Sequence, residues 1–337
     1  MAKDWSGQMG AGGVAGVLLV VTGLSFMAQQ TALGMAMPTK THVASLKNDD
    51  GKIAEANQAI PAILAQKGSV KAYFDQGLAF LQQKDWKKAE AAFRKVINWN
   101  PKLAVAHYNL GVALKDQGKT AEAITAYRKA ISLNPTNAYD YYNLGVALDK
   151  QGKMSQAIAA FQKAISLNPN FADAHYNLGI GLKKQSKMDE AIAAFQKAIS
   201  LNPNDADAYI NLGFSLDNQR KTTEAITALQ KAISLNPNSV SAYTNLGIAL
   251  GRQGNLEGSI AALQKAISLD PNDANVYRNL GISLDQQGTT AEAIAALQKA
   301  RDLYRSQGNT QEADEITQLL EKLGKRQASA MQVSLLQ

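Results

Sequence analysis

Six prolines, at positions 101, 135, 169, 203, 237 and 271, stand 34 residues apart each time. A fixed period of this length marks a repeat architecture, in which each unit buries its apolar face only by stacking on its neighbours. Seven copies can be framed: 70–103, 104–137, 138–171, 172–205, 206–239, 240–273 and 274–307. The phrase KAISLNPN recurs letter for letter from Lys163, Lys197 and Lys231.

Within a copy, positions are counted from 1 to 34. In the second copy, His107, Leu110, Gly111 and Leu114 occupy positions 4, 7, 8 and 11. This spacing places them on one helical stripe. Gln117-Gly118-Lys119 is a turn signal. Ala123, Tyr127 and Ala130, at positions 20, 24 and 27, form a second stripe. The helix must stop at Asn134-Pro135, because a residue before proline is pushed out of the helical region. Each copy therefore reads as a helix (A), a turn and a helix (B). The small residues let helices approach, and the large ones fill the neighbouring holes.

The period, the Leu-Gly pair, Ala at 20, the aromatic at 24, Ala at 27 and Pro at 32 resemble the tetratricopeptide repeat (TPR) family. The resemblance covers residues 70–307 and implies an all-α fold, a right-handed solenoid of seven helix-turn-helix repeats. The first copy departs with Gln76 and Val96, and the sixth with Ser259 at position 20. The seventh lacks the proline and runs on as ARDLYRSQ. Residues 308–324 then read as a capping helix, with Ala313, Ile316, Leu320 and Leu323 on its apolar face, and 325–337 as a disordered tail.

Little in the chain points to catalysis. It has no cysteine, so disulfides and thiolate sites are excluded. Of three histidines, His42 precedes the repeats, while His107 and His175 stand where other copies have Tyr141, Tyr209, Tyr243 and Tyr277. They read as packing residues, not as a metal site. Asp49-Asp50 reads as solvated, and Asp189-Glu190 as complementing a helix dipole. No phosphate-binding glycine loop or nucleophile elbow is present. The expectation is a non-enzyme with no cofactor and no metal. The formal charge of +7 includes a lysine at position 26 of every copy, from Lys95 to Lys299. Lysine there suits the end of a helix, and no aromatic platforms accompany the stripe. A nucleic-acid partner is therefore not expected.

A binding face is expected on the A helices, which line the concave side of a helical repeat stack. Positions 2, 5, 6, 9, 12 and 13 share an arc of about 120°. Position 5 runs Phe74, Tyr108, Tyr142, Tyr176, Ile210, Thr244, Arg278, and position 13 includes Lys150 and Lys184. Position 6 is Asp75 and then Asn109, Asn143, Asn177, Asn211, Asn245 and Asn279. Asparagine costs roughly 0.5 kcal/mol against alanine inside a helix. A carboxamide both donates and accepts, so it can pair with the backbone of an extended peptide. The ladder resembles that in the TPR superhelix of O-linked N-acetylglucosamine transferases, where such asparagines hold substrate backbone; copying of one repeat accounts for it equally well. The candidate peptide-binding residues are the six asparagines with Tyr108, Tyr142, Tyr176, Lys150 and Lys184. Apolar position 9, from Leu78 to Ile282, disfavours a charge clamp for a C-terminal carboxylate.

The N-terminus is different material. No charge falls between Trp5 and Thr39, and Val14–Met27 is the most apolar part. Residues 9–28 are just long enough to span a bilayer. Residues 1–37 read as a signal peptide or a membrane anchor, and 38–69, broken by Pro38 and Pro61, as a linker. The chain is then membrane-anchored or exported, or cytoplasmic if the segment is neither cleaved nor inserted. The expected function is a protein-interaction scaffold that holds partner segments at a membrane. The alternatives are the recruiting subunit of a separate enzyme, such as a glycosyltransferase, and a self-assembling element.

Overall fold

The computed structural model describes residues 68–335. The apolar N-terminal run and nearly all of the expected linker lie outside them. Among the described residues there are fifteen helices and no strand. The A helices are α1 (Gly68–Gln82), α3 (Ala104–Asp116), α5 (Ala138–Lys150), α7 (Ala172–Lys184), α9 (Ala206–Asn218), α11 (Val240–Gln253) and α13 (Ala274–Gln287). The B helices are α2 (Trp86–Trp99), α4 (Thr120–Leu133), α6 (Met154–Leu167), α8 (Met188–Leu201), α10 (Thr222–Leu235), α12 (Leu256–Leu269) and α14 (Thr290–Ser306). A last helix, α15, spans Thr310–Leu335. The chain forms two compact units, one ending at Asn177 and the other beginning at Leu178.

One contact builds every helix pair. The glycine at position 8 of helix A faces the large residue at position 24 of helix B. A Cβ on Gly111 would lie 2.6 Å from the Tyr127 ring, and one on Gly145 2.6 Å from the Phe161 ring. In the second unit Gly213 and Gly247 face Leu229 and Leu263 in the same way. The residues at 20, 24 and 27 are buried in all seven copies. Ser259, the departure at position 20, is buried with its hydroxyl 2.8 Å from that of Ser283. A polar substitution there keeps its hydrogen bond. The Asn-Pro ends have a local cause as well. Asn134 Oδ1 accepts from the backbone N–H of Thr136, and Asn168 and Asn236 repeat this with Asn170 and Asn238.

The A–B turn puts position 15 in the left-handed region in every copy. Gly118, Gly152, Gly254 and Gly288 fill it without strain, but Lys84, Ser186 and Arg220 sit there with φ near 60°. A side chain costs about 1 kcal/mol in this conformation. Lys84→Gly, Ser186→Gly and Arg220→Gly are each expected to stabilise the chain by about 0.5–1 kcal/mol. Denaturant unfolding checks this, and an unchanged midpoint in all three would refute it.

The C-terminal end carries one correction. The sequence suggested a cap ending at Gly324 and a disordered tail. Instead α15 runs on to Leu335. A lone glycine costs a helix about 1 kcal/mol and does not stop it, and no proline follows. Arg326, assigned to the tail, holds both carboxylate oxygens of Asp285 at 2.7 Å. The expected apolar face is present. Ala313, Ile316 and Leu323 are buried against Leu297, Ala300 and Tyr304, with Leu320 partly buried beside them. At the other end, α1 starts at Gly68, two residues before the framed copy.

Candidate peptide-binding face

In the first unit the asparagine ladder is tied to the tyrosines. Asn143 Nδ2 donates to the hydroxyl of Tyr108 at 3.1 Å and to the carbonyl of Tyr139 at 3.1 Å. Asn177 repeats the pattern with Tyr142, at 3.1 Å, and the carbonyl of Asp173, at 3.0 Å. Position 5 of one copy thus supports position 6 of the next. Both amide hydrogens are committed inside the scaffold, and Oδ1 lies outside these two bonds. The phenols, each accepting one bond, retain a proton to donate. Burial pushes the Tyr142 phenol up to about 12, with Asp173 adding to the effect. Tyr108 is raised further, by burial first and then by Asp140. Both are neutral donors at physiological pH.

Asn109 shows what happens without the support. The residue before it in the ladder is Phe74, which has no hydroxyl. Asn109 is buried, and neither its Oδ1 nor its Nδ2 has a hydrogen-bond partner. Tyr139 and Tyr142 pack on Phe171 with ring centres 4.7 and 4.8 Å away, so this part of the face is aromatic. Lys150, a candidate from the sequence, is exposed at the end of α5.

One buried residue in this unit was not singled out from the sequence. Position 3 is a fully buried alanine in four copies (Ala106, Ala174, Ala208, Ala242) and Val276 in another. In the third copy it is Asp140, 0% exposed. Asn137 Nδ2 donates to its Oδ1 at 2.7 Å, while Oδ2 has no partner. Burial pushes this carboxyl up to about 8. The signal was available: an acid at a position otherwise apolar in the inner copies.

In the second unit further contacts hold the face. Asn211 Nδ2 donates to the carbonyl of Asp207 at 2.9 Å, and its Oδ1 accepts from Lys183 Nζ at 2.6 Å. That ammonium also lies 5.0 Å from the ring centre of Phe214. Arg252 of α11 pairs with the buried Asp217 of α9, linking position 13 of one copy to position 12 of the one before. Asn245 lines a recess with Phe214, and Asn279 is half-buried on α13. Lys184 is exposed, and Tyr176, which belongs to the first unit, is half-buried. The structure therefore brings together Asn143 with Tyr108 and Asn177 with Tyr142.

The histidines keep a packing role. The Nε2–H of His107 donates to the Pro101 carbonyl at 2.9 Å, and that of His175 to the Pro169 carbonyl at 3.0 Å. Burial lowers the His107 pKa. Among the described residues no group of three His, Cys, Asp or Glu could hold a metal ion.

Helix pairs locked through a glycine, stacked copy on copy, with variable A-helix faces, define a TPR stack. The model of the family described as cilia and flagella-associated protein 70 C-terminal domain, a TPR domain, matches residues 55–318, and the chain belongs to this family. Among solved structures the chain is similar to YrrB, described as a TPR protein with an unusual peptide-binding site. The two are 27% identical, with a TM-score of 0.52, covering 58% of this chain and 98% of that one. A tetratricopeptide repeat protein from Parabacteroides merdae is 20% identical, with a TM-score of 0.56 over 75% of this chain and 100% of that one. The Cut9–Hcn1 hetero-tetramer of the APC/C gives 17% identity and a TM-score of 0.58 over 92% and 57%. The last two likenesses show the fold alone. No curated protein matches the chain.

Proposed function

We propose that the chain is a non-catalytic interaction scaffold whose A-helix faces bind extended segments of partner proteins. The family and the likeness to a TPR protein with a peptide-binding site support this reading. One observation carries it: the Asn143 and Asn177 carboxamides are held by Tyr108 and Tyr142, each with Oδ1 outside those bonds. A pre-oriented acceptor repeated in two successive copies suits the N–H groups of an extended backbone, and orienting it in advance lowers the entropy cost of binding. The uncharged run at residues 9–28 supports a further part of this proposal, that the scaffold acts at a membrane or beyond it. Among the described residues no helix is long and apolar enough to cross a membrane, so this part of the proposal rests on the sequence alone.

The test is the double variant Asn143→Ala, Asn177→Ala. Alanine regains about 0.5 kcal/mol of helix propensity per site and loses roughly 1 kcal/mol per hydrogen bond, so melting should move little. Peptides selected on the wild-type chain from a random display library should bind the variant about tenfold more weakly. Unchanged binding by an intact variant would remove the ladder from the site. A library that yields no binder at all would remove the peptide-binding function.

A further inference from the structure

In the second unit α9 and α11 enclose a recess of about 80 Å³, lined by Phe214, Leu229, Asn245, Ile248 and Arg252. This is several times the space one water needs. Phe214 is 38% exposed, as is Ile282 at the same position two copies on. Exposed large apolar side chains are otherwise rare among the described residues, the third being Trp99. Two of the three thus share position 9 of this unit's A helices. An apolar group entering the recess would meet Phe214, Leu229 and Ile248.

Two cations stand beside it. Lys183 sits over Phe214. Arg252 stands in the wall with its side chain 48% exposed, and its Nη1 donates to the carboxylate and the carbonyl of Asp217. Asp217 itself is buried, so its charge is answered inside the scaffold. The remaining guanidinium nitrogens are not used by those bonds, and guanidinium matches a carboxylate through two parallel N–H groups. An opposing carboxylate, Asp207, lies seven residues before Phe214 on α9, about 10 Å away along the helix.

We propose that this recess is the anchor subsite of the peptide-binding face, taking an aliphatic side chain that a partner segment flanks within three residues by aspartate or glutamate. The inference rests on the proposed function and adds the chemistry of the partner. The anchor's burial supplies affinity, and the carboxylate between Lys183 and Arg252 sets the register. An aliphatic residue flanked by lysine would enter the same recess against two cations.

The experiment uses the full chain, purified in mild detergent, and a random decapeptide display library. Enriched peptides should share an aliphatic residue with an acid one to three places away. For the best one, a fluorescein-labelled copy gives the affinity by anisotropy. Changing its aliphatic residue to alanine, or Phe214→Ala in the chain, should weaken binding about tenfold or more. Changing its acid to lysine should weaken it about tenfold, and Lys183→Glu should restore the lysine peptide. Arg252 is left intact, because its loss would strand Asp217. Enrichment without acidic preference, or binding indifferent to Phe214→Ala, overturns the inference and leaves the proposed function standing. A dimer that Phe214→Ala dissolves would assign the recess to a second copy and overturn it too. No enrichment at all removes both.

Discussion

Asp140→Ala is expected to raise the stability of the chain at pH 8 by on the order of 3 kcal/mol. The carboxyl is fully buried where the inner copies elsewhere carry alanine or valine, no cation faces it, and one oxygen has no partner. Tyr108 and Tyr127, the phenols near enough to feel it, are themselves pushed up by burial and stay neutral. The Asn137 amide, 2.7 Å away, favours the charged form, but burial outweighs it and pushes the pKa up to about 8 from an ordinary 3.8. Between those two values the native state keeps a proton that the unfolded chain has released. The contribution of this carboxyl to stability is therefore most favourable below about pH 4, falls as pH rises, and levels off above about 8. The slope is at most about 1.4 kcal/mol per pH unit for one such group.

Alanine removes this dependence but leaves the Asn137 amide without its carboxylate, at a cost of roughly 1 kcal/mol. The gain should thus be large at pH 8 and small at pH 5. Urea midpoints of the wild type, Asp140→Ala and Asp140→Asn at both pH values measure it. Equal pH dependence in all three would mean that the carboxyl is charged and solvated in the native state.

Asp140 also shows how far the sequence could be read. The helix pairs were legible because each requirement recurs from copy to copy: glycine at 8, a small residue at 20 and a large one at 24 in all seven, alanine at 27 in six, and the proline stop in six. Repetition separates what the stack needs from what one copy happens to hold. The same repetition concealed the site. Six asparagines look alike on the page, yet their surroundings depend on position 5 of the preceding copy. Tyr108 and Tyr142 hold Asn143 and Asn177, while Phe74 cannot hold Asn109. That relation spans 35 residues and runs between copies, so aligning the copies on one another hides it. The recess in the second unit depends on how Phe214 and Leu229 sit against α11, which position numbers do not carry. The end of α15 lies beyond the expected bound at residue 324 for a simpler reason: the Arg326–Asp285 pair past it favours continuing the helix.

Gly145→Ala is expected to destabilise the chain by about 2 kcal/mol, although alanine is the better helix former by about 1 kcal/mol. The added Cβ would lie 2.6, 2.8 and 3.0 Å from three atoms of the Phe161 ring. That ring is buried against its own helix pair and cannot swing out. Leucine would not relieve the overlap, since Leu229 Cγ stands 2.6 Å from the equivalent point above Gly213. The large residue at 24 therefore requires glycine at 8 whatever its type. Phe161→Ala alone should cost about 3–5 kcal/mol by leaving a cavity. In the double variant the clash is gone and alanine's propensity returns, so Gly145→Ala should then stabilise by up to about 1 kcal/mol. The sign of the same substitution thus reverses with its partner, an interaction of about 3 kcal/mol in a double-mutant cycle. Gly152→Ala is the control. It has nothing within 4 Å but a φ of +77°, so its cost should be about 1 kcal/mol and independent of Phe161. Because stability in a repeat stack is shared between neighbours, a loss of this size at α5–α6 should also weaken the first unit's cooperativity, lowering the denaturant slope as well as the midpoint. Additive effects of Gly145→Ala and Phe161→Ala would mean that the ring does not rest on the glycine, and that the lock proposed for all seven copies is wrong.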